Sequence, residues 1–99
     1  MPNYYDRDGK EINIHIWHSL FSDQKYQTIE KTVVNKLFVS TIWLGLDHNY
    51  LGKGDPLIFE TCVFAEEQSQ IVGRYSTEEQ AIEGHRKAVI FVRDHIPAS

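Results

Sequence analysis

The chain has 99 residues, 41% hydrophobic and 24% charged, enough for one core and too few for a cofactor domain beside a substrate domain. Ten lysines and arginines against 14 carboxylates leave a formal charge of −4, which argues against a domain that holds nucleic acid mainly through its phosphates. The one cysteine, Cys62, excludes an intrachain disulfide and fits a reducing cytosol. Lying in the apolar run Phe59 to Phe64, it reads as a small hydrophobe rather than a nucleophile. The first eight residues lack a basic n-region and an apolar h-region, and no stretch approaches the roughly 18 apolar residues of a membrane span. A soluble protein working in the compartment where it is made is the expectation.

Asp8-Gly9 is a turn signal between Tyr4-Tyr5-Asp6-Arg7 and Lys10-Glu11-Ile12, so a short hairpin opens the chain. Ile14, Trp17, Leu20 and Phe21 then recur at helical spacing, which predicts a short helix over about 14–22 with Asn13 as its N-cap. Residues 28–34 and 37–44 are rich in β-branched side chains and are separated only by Asn35-Lys36, the spacing of a two-residue hairpin loop. Residues 45–56 hold three glycines and a proline, and a loop of that length in a small domain is usually functional or disordered. Leu57 to Phe64, apolar at nearly every position, predicts a buried strand; Ile71 to Tyr75 predicts the last one. Ser76-Thr77-Glu78-Glu79 reads as a capping box with Ser76 as the cap. It opens a helix over about 77–94 whose apolar face is Ile82, His85, Val89, Val92 and Ile96.

This order predicts an α+β fold: an antiparallel four-stranded meander with a long C-terminal helix and a short N-terminal helix packed on one face. The other sheet face is then left half-open, with Phe38, Ile58 or Phe64 on it, and an apolar open face is a motive for a homodimer.

The chemistry-bearing residues concentrate around the long loop. Trp43 ends the strand before it, Asp47, His48 and Tyr50 lie within it, and Glu60 sits in the strand after it. Pairing of the two strands is expected to bring Trp43 near Glu60. A carboxylate among Leu, Ile, Phe, Cys and Val suits a general base, a metal ligand or a ligand anchor; its bland alternative is a solvent-facing glutamate or one paired with Arg74. His15, His18, His48, His85 and His95 have none of the spacings of a closed metal site, so no metal and no cofactor is expected. His85, on the apolar helix face, reads as a hydrogen-bonded core-edge histidine. Leu51-Gly52-Lys53-Gly54-Asp55 lacks Walker spacing and a following helix, and reads as a hairpin tip. Tyr4, Tyr5, Tyr26 and Tyr50 are candidate exposed anchors.

Three runs carry a family resemblance. Val39-Ser40-Thr41-Ile42-Trp43-Leu44-Gly45-Leu46-Asp47-His48-Asn49-Tyr50, then Pro56 to Thr61, and Arg74-Tyr75-Ser76-Thr77-Glu78-Glu79 together resemble a small, largely uncharacterised protein family of bacteriophages and prophages. The resemblance implies a phage origin and no mechanism. Small acidic phage proteins commonly act on host machinery, so the leading expectation is an accessory protein acting by binding. Its target would be a bacterial immune effector such as a CRISPR nuclease complex, met in the cytoplasm of the infected host. Trp43, Asp47, His48, Tyr50 and Glu60 are its candidate binding residues. Two other classes stay open: a sponge that sequesters a nucleotide immune signal, and a small enzyme using Glu60 or His48 as acid or base. Direct nucleic-acid binding and membrane association are not expected.

Overall fold

The computed structural model describes residues 3–97. Its fold is α+β. A two-stranded hairpin, β1 (Tyr4–Tyr5) and β2 (Glu11–Ile12), precedes α1 (Ile14–Phe21) and a one-turn α2 (Gln24–Gln27). Four strands follow, β3 (Thr28–Val34), β4 (Leu37–Trp43), β5 (Phe59–Phe64) and β6 (Ser69–Tyr75), and α3 (Glu78–His95) closes the chain. The four strands form one antiparallel meander in the order β3-β4-β5-β6.

Local chemistry explains most of the element boundaries. Asn13 caps α1, its side chain accepting from the Ile16 amide at 3.0 Å. Asp23 does the same for α2, which periodicity alone does not reveal because a single turn has no period. Asn35 and Lys36 both take positive φ, 50° and 67°, the signature of a type I′ turn, so the two-residue loop closes β3 onto β4 as expected. Asn35 also donates to the Ile96 carbonyl at 2.8 Å, tying this turn to the end of α3.

Four boundaries differ from the sequence reading, the first being β4, which ends at Trp43 rather than Leu44. β5 starts at Phe59 rather than Leu57, because Ile58 leaves the ladder: its amide donates to the Tyr75 carbonyl and its carbonyl accepts from Leu44. β6 starts at Ser69, two residues earlier than read from the apolar run, since its first residues are polar edge positions. The capping box is shifted by one. Thr77, not Ser76, is the N-cap, and Gln80, not Glu79, reaches back; the Gln80 side-chain oxygen accepts from the amides of Ser76 and Thr77.

All three helices lie on one side of the sheet. The core there joins Trp43, Ile58, Phe59 and Ala81, with Trp17, Leu20, Phe21, Tyr26 and Tyr75 packed around it. Ile58, expected on the open face, belongs to this core. α3 buries Ala81, His85 and Val92 against the strands. Arg7 braces the opening hairpin to α3, its Nε 2.8 Å from a Glu78 carboxylate oxygen and its backbone amide donating to the Tyr26 hydroxyl.

Candidate functional site

The strand register decides where the sequence candidates fall. Trp43 pairs with Phe59, and Ile42 pairs with Glu60. Successive residues of a strand point to opposite faces, so Trp43 and Glu60 lie on opposite sides of the sheet and do not share a site. Trp43 is fully buried on the helix side, where its indole Nε1 donates to the Tyr5 carbonyl at 3.0 Å and its ring meets Tyr26 edge-on. It is a core residue.

Glu60 lies on the open face and takes the bland alternative foreseen for it. Arg74, its cross-strand neighbour, donates to it from Nε at 3.1 Å. The Cys62 thiol, two residues along, reaches the other carboxylate oxygen at 3.6 Å. Burial, and then the Glu60 charge, push this thiol up to about 11. The sulfur is therefore protonated at neutral pH, which takes it out of nucleophilic chemistry.

Asp47 and Asn49 organise the long loop, which runs over residues 44–58 between β4 and β5. One Asp47 carboxylate oxygen accepts from the amides of Asn49 at 2.7 Å and Leu57 at 2.9 Å, bridging the two arms. The Asn49 side chain accepts from the Leu51 amide and donates to the carbonyls of Lys53 and Asp55. His48 is held as well: its amide donates to the Leu57 carbonyl, and its ring Nδ1 lies 2.7 Å from the Leu46 carbonyl. A carbonyl only accepts, so Nδ1 carries the proton there. Glu60 finds its polar partners in Arg74 and Cys62 and not in His48. At the tip, Tyr50 is 79% exposed and Leu51 87%, with the Tyr50 ring tilted against His48.

Of the other tyrosines, Tyr4 packs on Trp17 and Tyr26 on Trp43, and both, like Tyr5, are half-buried. Only Tyr50 is displayed as an anchor should be.

Two features escaped the sequence. The first is a buried polar relay. His85, 2% exposed, bonds Thr32 through Nε2 at 2.8 Å and Thr41 through Nδ1 at 2.7 Å, and Thr41 meets Thr61 at 2.6 Å. Burial lowers the imidazole pKa, and the Glu30 carboxylate 3.9 Å away only partly opposes this. Position 85 on the helix face was legible; the threonines from three strands meeting it were not. The second is a groove of about 1430 Å³ between α3 and β6. Its apolar lining includes Leu37, Val63, Ala88 and the exposed Phe91, and its charged lining is Glu79, Glu83 and Lys87.

Among the described residues no helix is long and apolar enough to cross a membrane, and no group of three or more histidine, cysteine or carboxylate side chains is placed to hold a metal. Comparison with family models, with curated proteins and with solved structures finds no match to this chain.

Proposed function

We propose that the protein acts by binding a host protein, as a phage-encoded counter-defence inhibitor of a bacterial immune effector, and that the tip of the 44–58 loop enters the partner. The observation that carries this reading is the display of Tyr50 and Leu51, 79% and 87% exposed, on a loop whose two arms are stapled by Asp47 and Asn49. A loop already ordered before docking loses little conformational entropy on binding. An aromatic beside an aliphatic side chain at its tip is the composition of an interface anchor. The excess of carboxylates over basic residues suits a partner with a basic, nucleic-acid-binding surface, because complementary charge speeds encounter.

The nucleotide-sponge reading fits the site chemistry less well. The groove between α3 and β6 is mostly apolar and lined by two carboxylates against one lysine, whereas a polyphosphate needs a surplus of cations or free amides. The enzyme reading is weakened because Glu60 is engaged by Arg74 and Cys62 and His48 Nδ1 by the Leu46 carbonyl.

The test is phage plating on a bacterium armed with a CRISPR nuclease directed at that phage. Expression of the protein is expected to restore plating, and Tyr50→Ala with Leu51→Ser is expected to abolish the rescue with the melting temperature unchanged. Rescue that survives the double substitution removes the loop tip from the contact. Plating that stays low with every CRISPR type tested removes the counter-defence reading.

A further inference from the structure

The side of the sheet away from the helices carries one apolar row, ending in Ser69 on β6, and two mixed rows that hold a single carboxylate. The registers place Val33, Phe38 and Phe64 in one row across β3, β4 and β5, and Lys31, Ser40, Cys62 and Ile71 in the next. Thr28, Ile42, Glu60 and Arg74 form the third. Val33 is 63% exposed and Phe38 43%, with Phe64 and Ile71 similarly open. The charges present are already engaged: Glu60 with Arg74 at 3.1 Å, and the Lys31 ammonium over the Phe38 ring at 5.3 Å from its centroid. Of the chain's 14 carboxylates, only Glu60 stands in these three rows, so the acidic excess lies elsewhere. Two copies that met here would therefore approach on the surface where their mutual repulsion is smallest.

We propose that this face is the interface of a homodimer, two sheets packed face to face about a twofold axis that runs parallel to the strands between β4 and β5. The axis sets Phe38 over Phe64 of the second copy, and the reverse by symmetry, so that the two aromatic residues meet twice at the centre of the contact. Ser40 faces Cys62 of the second copy, Lys31 faces the apolar Ile71, and no like charges oppose each other directly. Four strands at about 4.8 Å and rows of up to seven residues at about 3.3 Å give a face of roughly 440 Å² in projection. Two such faces bury roughly 880 Å² in projection, under the roughly 1,200–2,000 Å² of stable specific interfaces, so the expected dimer is a weak one that forms at high concentration. This proposal does not depend on the loop-tip reading, which uses a different part of the surface.

Size-exclusion chromatography with light scattering at high-micromolar concentration is expected to give twice the 11.5 kDa chain mass. Phe38→Glu and Phe64→Lys, each at a half-exposed position, should weaken association by about tenfold or more, with the monomer fold checked by circular dichroism. Combined in one chain, the two substitutions set opposite charges over each other across the axis and should recover part of the association. Val33→Lys, at the most exposed position of the face, gives the same loss even if either aromatic position proves intolerant. Phe91→Ser, on the groove side of α3, should leave the dimer intact. A monomeric wild type, a dimer that survives Phe38→Glu or Val33→Lys, or a dimer broken by Phe91→Ser would each overturn the assignment.

Discussion

The two faces of the sheet are built from alternate residues of the same strands, yet they differ sharply in burial. Toward the helices, Val39, Thr41, Trp43, Phe59 and Thr61 are all fully buried. Away from them, Phe38 and Phe64 stay open to solvent although they stand in the same strands. The composition of each strand does not separate the faces; what covers them does. A mean hydropathy taken along β4 or β5 would therefore say little about which aromatic is core and which is available for a partner.

The sharpest way to break this comparison is to truncate one aromatic on each face. Trp43→Ala removes the centre of the core and leaves the Tyr5 carbonyl without its indole donor, so a loss of about 3–5 kcal/mol in urea unfolding is expected. Phe38→Ala, measured on the monomer, should cost only about 1 kcal/mol, since much of its side chain is already in water. Equal losses would mean that the open face is no less structural than the covered one.

A smaller effect tests how the loop is seated on the covered face. Gly45 has φ +70°, and a Cβ there would come within 2.6 Å of the Trp17 ring, besides meeting Trp43. Trp17 closes over this backbone by donating from Nε1 to the Leu44 carbonyl at 3.0 Å. Gly45→Ala is expected to cost about 2 kcal/mol or more, from left-handed backbone strain and overpacking together. Gly52→Ala, in open space at a comparable φ of +72°, should cost less, and the difference between them isolates the packing part.

What was legible in the sequence was local. The Asn35-Lys36 turn, the Asn13 cap and the periodicity of α3 each depend on residues a few positions apart, and the structure has all three. The capping box failed by one residue because Ser76 and Thr77 are both hydroxyl residues followed three later by Glu79 or Gln80. Two overlapping boxes are encoded, and only the fit of Gln80 decides between them. The sequence does not separate Trp43 from Glu60 because the loop between their strands is long enough to permit either register, and a shift of one residue exchanges faces. The run from Val39 to Asp47 is largely structural: Val39, Thr41 and Trp43 are buried, Gly45 seats the indoles, and Asp47 staples the loop.

The buried relay separates the faces in another way, since its fully buried polar side chains, Thr41, Thr61 and His85, all stand on the covered one. Thr41→Val keeps the shape but leaves His85 Nδ1 and the Thr61 hydroxyl without Thr41, an expected cost of about 1–3 kcal/mol. The relay also gives a pH dependence. His85 has a folded pKa below its ordinary 6.5, so the unfolded chain binds this proton more readily than the folded one. The stability it contributes is present above about 6.5 and is lost as pH falls through the lowered folded value. Because carboxylates titrate in the same direction at lower pH, the measurement is the difference in urea midpoint between wild type and His85→Gln across pH 5 to 7.5. That difference should shrink toward acid; a constant difference would show that His85 does not change its protonation preference on folding.

The smallest effect is expected where the sequence promised most. Glu60 was the anomalous charge in an apolar strand, yet it stands on the open face opposite Arg74, whose side chain is 30% exposed. The Glu60 side chain is only 12% exposed, but its hydrated partner screens the attraction in part, so Glu60→Gln should cost about 1 kcal/mol. The amide can still accept from Arg74 Nε, which keeps the cross-strand contact while removing the charge. Rescue of phage plating should be unchanged, because the pair is not part of the Tyr50–Leu51 tip. Loss of rescue with an unchanged melting temperature would move the functional surface from the loop onto this face. There it would compete with the second copy for the same residues, and the oligomeric state of the Glu60→Gln protein would tell which of the two had been disturbed.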